Sequence, residues 1–162
     1  MQTNESPTAI VIGDVNVDII TPPFDPKNLK EGETSIVLDK FTTSLGGNAI
    51  NVAATLASLG ADHQFLGGLG DCGNSIWIEQ KCRELGVNAS FSKIKGQSAG
   101  VTFAMTYNDG RRQFIATLGT NSQVEMGQLD TSFLDKVIKN THVHRSGFWY
   151  TPKLKGKPTI EL

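Results

Sequence analysis

The sequence has few of the features that would connect it to membranes, nucleic acids or a disulfide framework. Its 162 residues include two cysteines, and 15 basic residues nearly balance 16 acidic ones, for a net charge of -1. The apolar runs, such as residues 9–12, are far shorter than the roughly 20 residues that cross a bilayer. Residues 1–7 are not basic and precede no signal-like apolar stretch. We therefore expect a cytoplasmic protein with no membrane or nucleic-acid partner.

Neither the cysteines nor the histidines predict a metal site. Cys72 and Cys82 have no second pair with zinc-ligand spacing, so we expect ordinary reduced thiols. His142 and His144 alternate on one predicted strand, and two imidazoles without a third ligand are more typical of a structural role.

The sequence does contain an alternation of β-prone and helical segments. Strands are predicted at 8–12, 64–66, 90–94 and 142–148, and helices at 48–59, 75–85 and 131–138. In the second helix, Ile76, Cys82 and Leu85 are the predicted inward positions. Two further β segments, at 33–43 and at 101–117 around an Asp-Gly turn, lie outside this alternation. The order predicts an α/β fold with a mainly parallel sheet and an accessory β element.

Polar residues alternate with apolar ones directly after the first predicted strand. In residues 15–20, Asn16 and Asp18 fall on one face, and Val15, Val17 and Ile19 fall on the other. Asn16 and Asp18 are therefore candidates for hydrogen bonding to a ligand with hydroxyl groups.

A glycine pair opens the first predicted helix. Residues 46–53 read Gly-Gly-Asn-Ala-Ile-Asn-Val-Ala. Gly46 and Gly47 would let a ligand approach the backbone, and the amide groups at a helix start favour an electronegative group. Asn51, one turn into the helix, carries both a donor and an acceptor. The segment indicates a polar pocket for hydroxyl groups, with a glycine turn and a capping asparagine as the alternative.

A second glycine motif, Gly-Leu-Gly-Asp-Cys-Gly at 68–73, matches the dinucleotide fingerprint GxGxxG. Asp71 would place a carboxylate where a pyrophosphate must lie, and Trp77 stands where a small helix residue is required. The strand at 90–94 also lacks an acidic residue for a ribose hydroxyl. A turn followed by a capped helix is the favoured interpretation.

The glycine pattern as a whole resembles the first signature of the ribokinase-like (PfkB) sugar kinases. Residues 46–53 are followed by Gly60 and Gly70 at the spacing of that signature, and all its fixed positions are filled. The polar strand around Asn16 and Asp18 and the hairpin within 101–117 follow the same order. The resemblance covers nearly the whole chain.

This resemblance implies a doubly wound, mainly parallel sheet with a small β lid, and ATP-dependent phosphorylation of a sugar or nucleoside hydroxyl. It also implies that ATP and Mg²⁺ are cofactors of the full-length family member. The lid segments would be about 33–43 and 101–117, and a homodimer could form through the lid. Arg111 and Arg112, near the hairpin tip, are expected to be solvated lid residues. The residues implied to bind the sugar or nucleoside are Asn16, Asp18, Gly46, Gly47 and Asn51.

The chain departs from the family in lacking its later machinery. Members carry a Gly-Ala-Gly-Asp segment with a catalytic aspartate, and this sequence has none; Asp71 is not assigned that role. We therefore expect residues 1–162 to be the amino-terminal half of a kinase domain, incomplete at the carboxyl end, inactive alone and without cofactor or metal ligands. The alternatives are a non-catalytic sugar-binding or regulatory module and, less favoured, a dinucleotide-binding oxidoreductase domain.

Overall fold

The computed structural model describes residues 9–30, 32, 35–132 and 141–157, which form two four-stranded sheets and two α-helices. In chain order the elements are β1 (Ala9–Ile12), β2 (Asn16–Ile20), β3 (Thr42–Gly46), α1 (Asn48–Ser58), β4 (His63–Leu69), α2 (Gly73–Glu84), β5 (Ala89–Lys93), β6 (Gly100–Thr106), β7 (Arg112–Thr117) and β8 (His142–Arg145). No helix among the described residues has the length and apolar character of a membrane span.

The first sheet, in the order β5-β4-β1-β8, is entirely parallel. Its central strand β1 is buried on both faces, which accounts for its uninterrupted apolar sequence. Val11 packs in a core with residues of α1 and α2, while Ile10 and Ile12 pack on the opposite face against Val124 and its neighbours. The sheet therefore forms the centre of an α/β layered structure.

The second sheet, in the order β3-β2-β6-β7, is mixed. Strand β2 pairs with β6 in parallel, whereas the β2–β3 and β6–β7 pairs are antiparallel. Strand β7 is exposed along its whole length. We refer to this sheet as the lid.

Local sequence sets the bounds of both helices. Helix α1 follows Gly47, whose φ of +115° few other residues adopt, and its end is followed by Gly60 at φ +70°. Helix α2 buries Ile78 and Cys82, four residues apart on one face. The expected inward positions of two α2-region residues were wrong: Ile76 points away from that face and is 60% exposed, and Leu85 lies at the helix end and is 43% exposed.

The strand expected at 33–43 lies later in the chain. Residues 35–41 are not in a strand, and β3 begins at Thr42. The bound of β3 follows from its partner: β2 ends at Ile20, and Ile20 pairs with Thr42. The hairpin expected within 101–117 is confirmed. The strand expected at 142–148 ends at Arg145, shortly before Gly147 turns the chain at φ +71°. The helix expected at 131–138 falls mostly on residues outside those described.

Candidate functional site

A cavity of about 220 Å³ lies where the lid meets the start of α1. After β1 the chain leaves the central sheet, and β2 carries the alternating polar residues into the lid. The central sheet, the lid and α1 therefore surround one space. The residues that line the cavity are Asp14, Asn16, Asp18, Gly47, Asn48, Asn51, Thr102, Phe114 and Tyr150.

Asp14 joins the end of β1 to the start of α1. Its side chain is buried, and its two carboxylate oxygens accept hydrogen bonds from the backbone N–H groups of Asn48, at 3.1 Å, and Ala49, at 3.0 Å. These amides begin α1, so the chain's own carboxylate satisfies the donors that we expected a ligand to use. That expectation was therefore wrong in this detail. A carboxylate at the helix start also disfavours an anionic ligand there.

Asp18 is the second carboxylate of the cavity and is about half-buried. Burial raises its pKa above the ordinary value of 3.8, a hydrogen bond from the Thr102 side chain opposes this shift, and the negative charge of Asp14 adds to it. Thr102 is the residue opposite Asp18 in the β2–β6 register. The lid register therefore places Thr102 beside this carboxylate.

Asn16 is held in place by a buried amide from a distant part of the chain. The Nδ2 group of Asn121 donates to Asn16 Oδ1 at 2.7 Å and to the Val15 carbonyl at 3.0 Å. Asn121 Oδ1 in turn accepts from the Val15 N–H at 3.0 Å. A side chain at Gly100 would overlap Asn16 Oδ1, so the glycine leaves room for this network. Because Oδ1 is already bonded, Asn16 has its Nδ2 to donate to a ligand.

The remaining walls come from three different elements. Asn51 lies one turn into α1, Phe114 lies on the outermost lid strand β7, and Tyr150 follows β8. The Phe114 side chain is 59% exposed although it borders the cavity. The lining thus combines two carboxylates and several amide groups, which we call the base of the cavity, with two aromatic rings.

One further charged side chain, Arg145, lies near the base of the cavity. Arg145, at the end of β8, is close enough to Asp14 for their charges to interact, while burial lowers the Arg145 pKa. Its guanidinium donates to the Ser146 carbonyl and to Thr151 Oγ1, and it stacks 4.7 Å from the Phe148 ring centroid. These contacts direct the two terminal nitrogens to protein groups, Nε is buried without a hydrogen-bond partner among the described residues, and Arg145 is not among the residues that line the cavity.

Four of the five residues predicted to bind a ligand line this cavity: Asn16, Asp18, Gly47 and Asn51. Gly46 lies directly behind Asp18, because a Cβ at position 46 would overlap the Asp18 carboxyl group. The structure therefore brings all five predicted residues into one neighbourhood. The prediction did not include five lining residues: Asp14, Asn48, Thr102, Phe114 and Tyr150.

At the glycine motif 68–73, the chain itself occupies the space that a ligand would take. A Cβ at Gly70 would overlap the Gln97 carbonyl, and Cys72 Sγ contacts the same carbonyl at 2.9 Å. The Asp71 carboxylate accepts from the Gly96 N–H at 3.1 Å. Residues 96–98 thus cover the start of α2, where a pyrophosphate would bind in a dinucleotide site. The turn interpretation is the one that this geometry supports.

Metal ligands do not cluster in the described part of the chain. No three His, Cys, Asp or Glu side chains there come together in a way that could hold a metal ion. His142 and His144 lie on the edge strand β8, two residues apart.

An open α/β sheet, an accessory β lid and a polar cavity between them define a class of small-molecule-binding domain. Comparison with known proteins identifies the family. The profile described as pfkB family carbohydrate kinase matches residues 7–157, and the chain belongs to this family. The expected ribokinase-like α/β fold is confirmed.

Individual relatives agree with this assignment. The chain is 33% identical over 135 residues to an ATP-dependent ribose-1-phosphate kinase from Halopiger xanaduensis, an alignment covering 82% of this chain. Among solved structures, ribokinase from Giardia lamblia superimposes with a TM-score of 0.75 at 21% identity, over 86% of this chain. Ribokinase from Cryptococcus neoformans, solved with ADP, gives a TM-score of 0.58 at 26% identity, over 73% of this chain.

These relatives are considerably longer than the region they share with this chain. The alignments cover 43% of the Halopiger protein, 44% of the Giardia chain and 36% of the Cryptococcus chain. The chain therefore spans less than half the length of each of them.

Proposed function

We propose that residues 1–162 form the substrate-binding half and lid of an ATP-dependent kinase that phosphorylates a hydroxyl group of a sugar or nucleoside. The observation that carries this proposal is the placement of Asp18, Asn16 and Asn51 around one cavity beneath the lid. Carboxylate and amide groups around one cavity suit a ligand with several hydroxyl groups. The Halopiger relative, which is named for ribose-1-phosphate, and the ADP in the Cryptococcus structure support the choice of reaction.

Each polar group has a distinct part in the proposed site. The ionised Asp18 carboxylate accepts hydrogen bonds from substrate hydroxyls, and Asn16 Nδ2 donates to a hydroxyl oxygen. Asp14 holds the start of α1 against the cavity, Gly46 leaves room for the Asp18 carboxylate, and Gly47 leaves room for the backbone of Asp14. Phe114 and the rest of the lid exclude water from the sugar, which favours transfer to the hydroxyl over hydrolysis.

In this proposal the described residues bind the substrate and do not carry out the phosphoryl transfer itself. ATP and Mg²⁺ would supply the phosphoryl group and neutralise its charge in the complete enzyme. The described part of the chain brings no three potential metal ligands together, and the start of α2 is covered by residues 96–98, so we assign no ligand for either group. We therefore expect no ATP turnover by this chain alone. We propose that the kinase acts in the cytoplasm.

We also propose that two copies of the chain associate through their lids. Phe41 and Phe103 pack edge to face, with their ring centroids 5.7 Å apart, on the lid face that carries Phe103 and Met105. A cavity of about 180 Å³ opens between this lid face and residues before β3. Burial of this apolar surface by a second copy would stabilise a homodimer.

Calorimetric titration of the purified chain with ribose, ribose-1-phosphate and adenosine tests the proposed site. We expect one of these ligands to bind, and Asp18→Ala to abolish its binding. Asp109→Ala, which removes an exposed carboxylate at the hairpin turn, is the matched control and should leave the affinity unchanged. Equal affinity for the wild type and the Asp18→Ala variant would overturn the assignment.

A coupled ATP assay separates the kinase proposal from its alternatives. Ligand binding by this chain, with turnover appearing only in a longer polypeptide, fits a kinase half. Binding without turnover in any longer form fits a sugar-binding or regulatory module. Tight NADH binding, followed by fluorescence, would instead support the oxidoreductase alternative.

A further inference from the structure

Two adjacent arginines at the lid hairpin have different surroundings. Arg111 is paired with Asp109. The Arg111 guanidinium lies 2.8 Å from Asp109 Oδ2, and the Arg111 backbone N–H donates to Asp109 Oδ1 at 3.0 Å. The Arg112 guanidinium instead lies 6.0 Å from the centroid of the Phe114 ring. Both side chains were expected to be solvated lid residues. The Phe114 contact places Arg112 beside a wall of the cavity.

The β6–β7 register shows which side of the lid carries Arg112. Residues directly opposite each other in an antiparallel pair share a face, and every second residue returns to that face. Thr102 lies opposite Ala116, Ala104 opposite Phe114, and Thr106 opposite Arg112. Thr102 and Phe114 line the cavity. Arg112 is therefore on the cavity side of β7, exposed next to Phe114 and just outside the residues that line the cavity, whereas Arg111 is outside the strand and turned toward Asp109.

The charges of the cavity oppose an anion at its base. Asp14 and Asp18 are both there, and the first amides of α1 are already bonded to Asp14. Arg145 is engaged by the Ser146 carbonyl and Thr151. A ligand with hydroxyl groups and one phosphate would thus place the hydroxyls at the base and direct the phosphate away from it.

The distance along the lid from Asp18 to Arg112 suits a ligand whose hydroxyls contact Asp18 and whose phosphate points toward Arg112. Arg112 is four residues before Ala116, the residue at the level of Thr102 and Asp18, which corresponds to about 14 Å along an extended strand. The Arg112 side chain leans back over Phe114 and so shortens this distance. A sugar that contacts Asp18 through its hydroxyls would extend its phosphate toward the Phe114 wall.

We propose that Arg112 is a specificity-determining residue that binds the phosphate of a sugar phosphate, so that the acceptor of this site is a phosphorylated sugar. The inference rests on the proposed function and names its substrate class. A guanidinium presents paired N–H donors that match two phosphate oxygens, and its aromatic neighbour limits the orientations it adopts.

Titration of three chains with ribose, ribose-1-phosphate and ADP tests the inference. The chains are the wild type, Arg112→Gln and Arg111→Gln, where the last removes the same charge from the neighbouring position. For Arg112→Gln we expect a loss of about tenfold or more in affinity for ribose-1-phosphate, with ribose affinity unchanged. Arg111→Gln should behave as the wild type. The ribose-1-phosphate affinity of the wild type should also fall more steeply with salt than that of Arg112→Gln.

The outcomes distinguish this inference from the proposed function. Wild-type chain that binds none of ribose, ribose-1-phosphate and adenosine contradicts both, and wild-type chain that binds adenosine alone overturns only the inference. Tight binding of ribose-1-phosphate by wild type and Arg112→Gln alike overturns the role of Arg112 and leaves the sugar site standing. A loss of affinity confined to ADP would assign Arg112 to a nucleotide phosphate and overturn the inference. An equal loss for ribose and ribose-1-phosphate would indicate a structural role, and would also overturn it.

Discussion

The Asp18 carboxyl group lies in the space that a side chain at position 46 would fill. A Cβ at Gly46 would overlap Cγ and both oxygens of Asp18, and the two residues lie on neighbouring lid strands. Gly47 makes room for backbone instead, because a Cβ there would come within 2.7 Å of the Asp14 carbonyl oxygen. The pair therefore accommodates the side chain of one cavity aspartate and the backbone of the other.

Gly46→Ala is expected to weaken ligand binding and stability together. The added methyl group must displace the Asp18 carboxylate or the β2–β3 pairing, and overpacking of this kind costs about 1–3 kcal/mol. We expect a lower free energy of unfolding in urea and at least a tenfold loss of sugar affinity. Gly73→Ala is the control, since a Cβ there meets no atom within 4 Å. A Gly46→Ala chain with wild-type affinity would contradict the steric role of this glycine.

Asp14→Ala tests the carboxylate that starts α1. The substitution leaves the N–H groups of Asn48 and Ala49 without their acceptor at a buried helix start, which should lower the free energy of unfolding by about 2 kcal/mol. Thermal and urea denaturation measure this loss. Asp25→Ala, which removes an exposed capping carboxylate, should cost clearly less. Equal losses for both variants would argue against a special role for Asp14.

Sequence patterns predicted the parts of the site that depend on neighbours in the chain. The alternation in β2 placed Asn16 and Asp18 on one face, and the glycine pair marked the start of α1. Phe114 and Tyr150 reach the same cavity from positions far along the chain, so no local pattern indicates them. Asp14 lies two positions after the buried strand β1 and about thirty positions before the glycine pair, a separation that only the folded sheet closes.

The differences between the predicted and the observed elements also arise from contacts with distant parts of the chain. The expected strand at 33–43 has suitable β-branched residues, but strand bounds depend on the partner, and β2 determines where β3 begins. In α2, the apolar residues Ile76 and Ile78 are equally good candidates for burial by type. The way the helix packs on the sheet decides that Ile78 is buried and Ile76 is exposed.

Asn121→Ala should destabilise the junction between the sheet and the lid. Its amide satisfies the buried N–H and carbonyl of Val15 and positions Asn16 Oδ1. Loss of these bonds should cost about 3 kcal/mol, because the backbone groups of Val15 would remain buried without partners. Asn108→Ala, at the exposed hairpin turn, is the control. Urea unfolding that shows similar stability for both variants would contradict this prediction.

The raised pKa of Asp18 also predicts a pH dependence of stability. The native chain holds the Asp18 proton more tightly than the unfolded chain, so the native state binds more protons in the interval above the ordinary pKa of 3.8. The contribution of Asp18 to stability therefore falls as the pH rises through that interval. Asp18→Asn should remove this contribution and give a higher Tm than the wild type at neutral pH. A lower Tm for Asp18→Asn at pH 7 would contradict it.

Ligand binding should show the opposite dependence on pH, since the ionised carboxylate is the better acceptor for hydroxyl groups. Sugar affinity should fall as the pH is lowered, with a midpoint above the ordinary carboxyl pKa of 3.8. Thr102→Val removes the hydrogen bond that lowers the Asp18 pKa, so the midpoint should move to higher pH. Thr117→Val changes the same residue type on the opposite lid face, in register with Val101, and should leave the midpoint unchanged. Calorimetric titration across pH 4 to 8 measures each midpoint, and a Thr102→Val profile that coincides with the wild type would exclude Thr102 as the donor that controls Asp18.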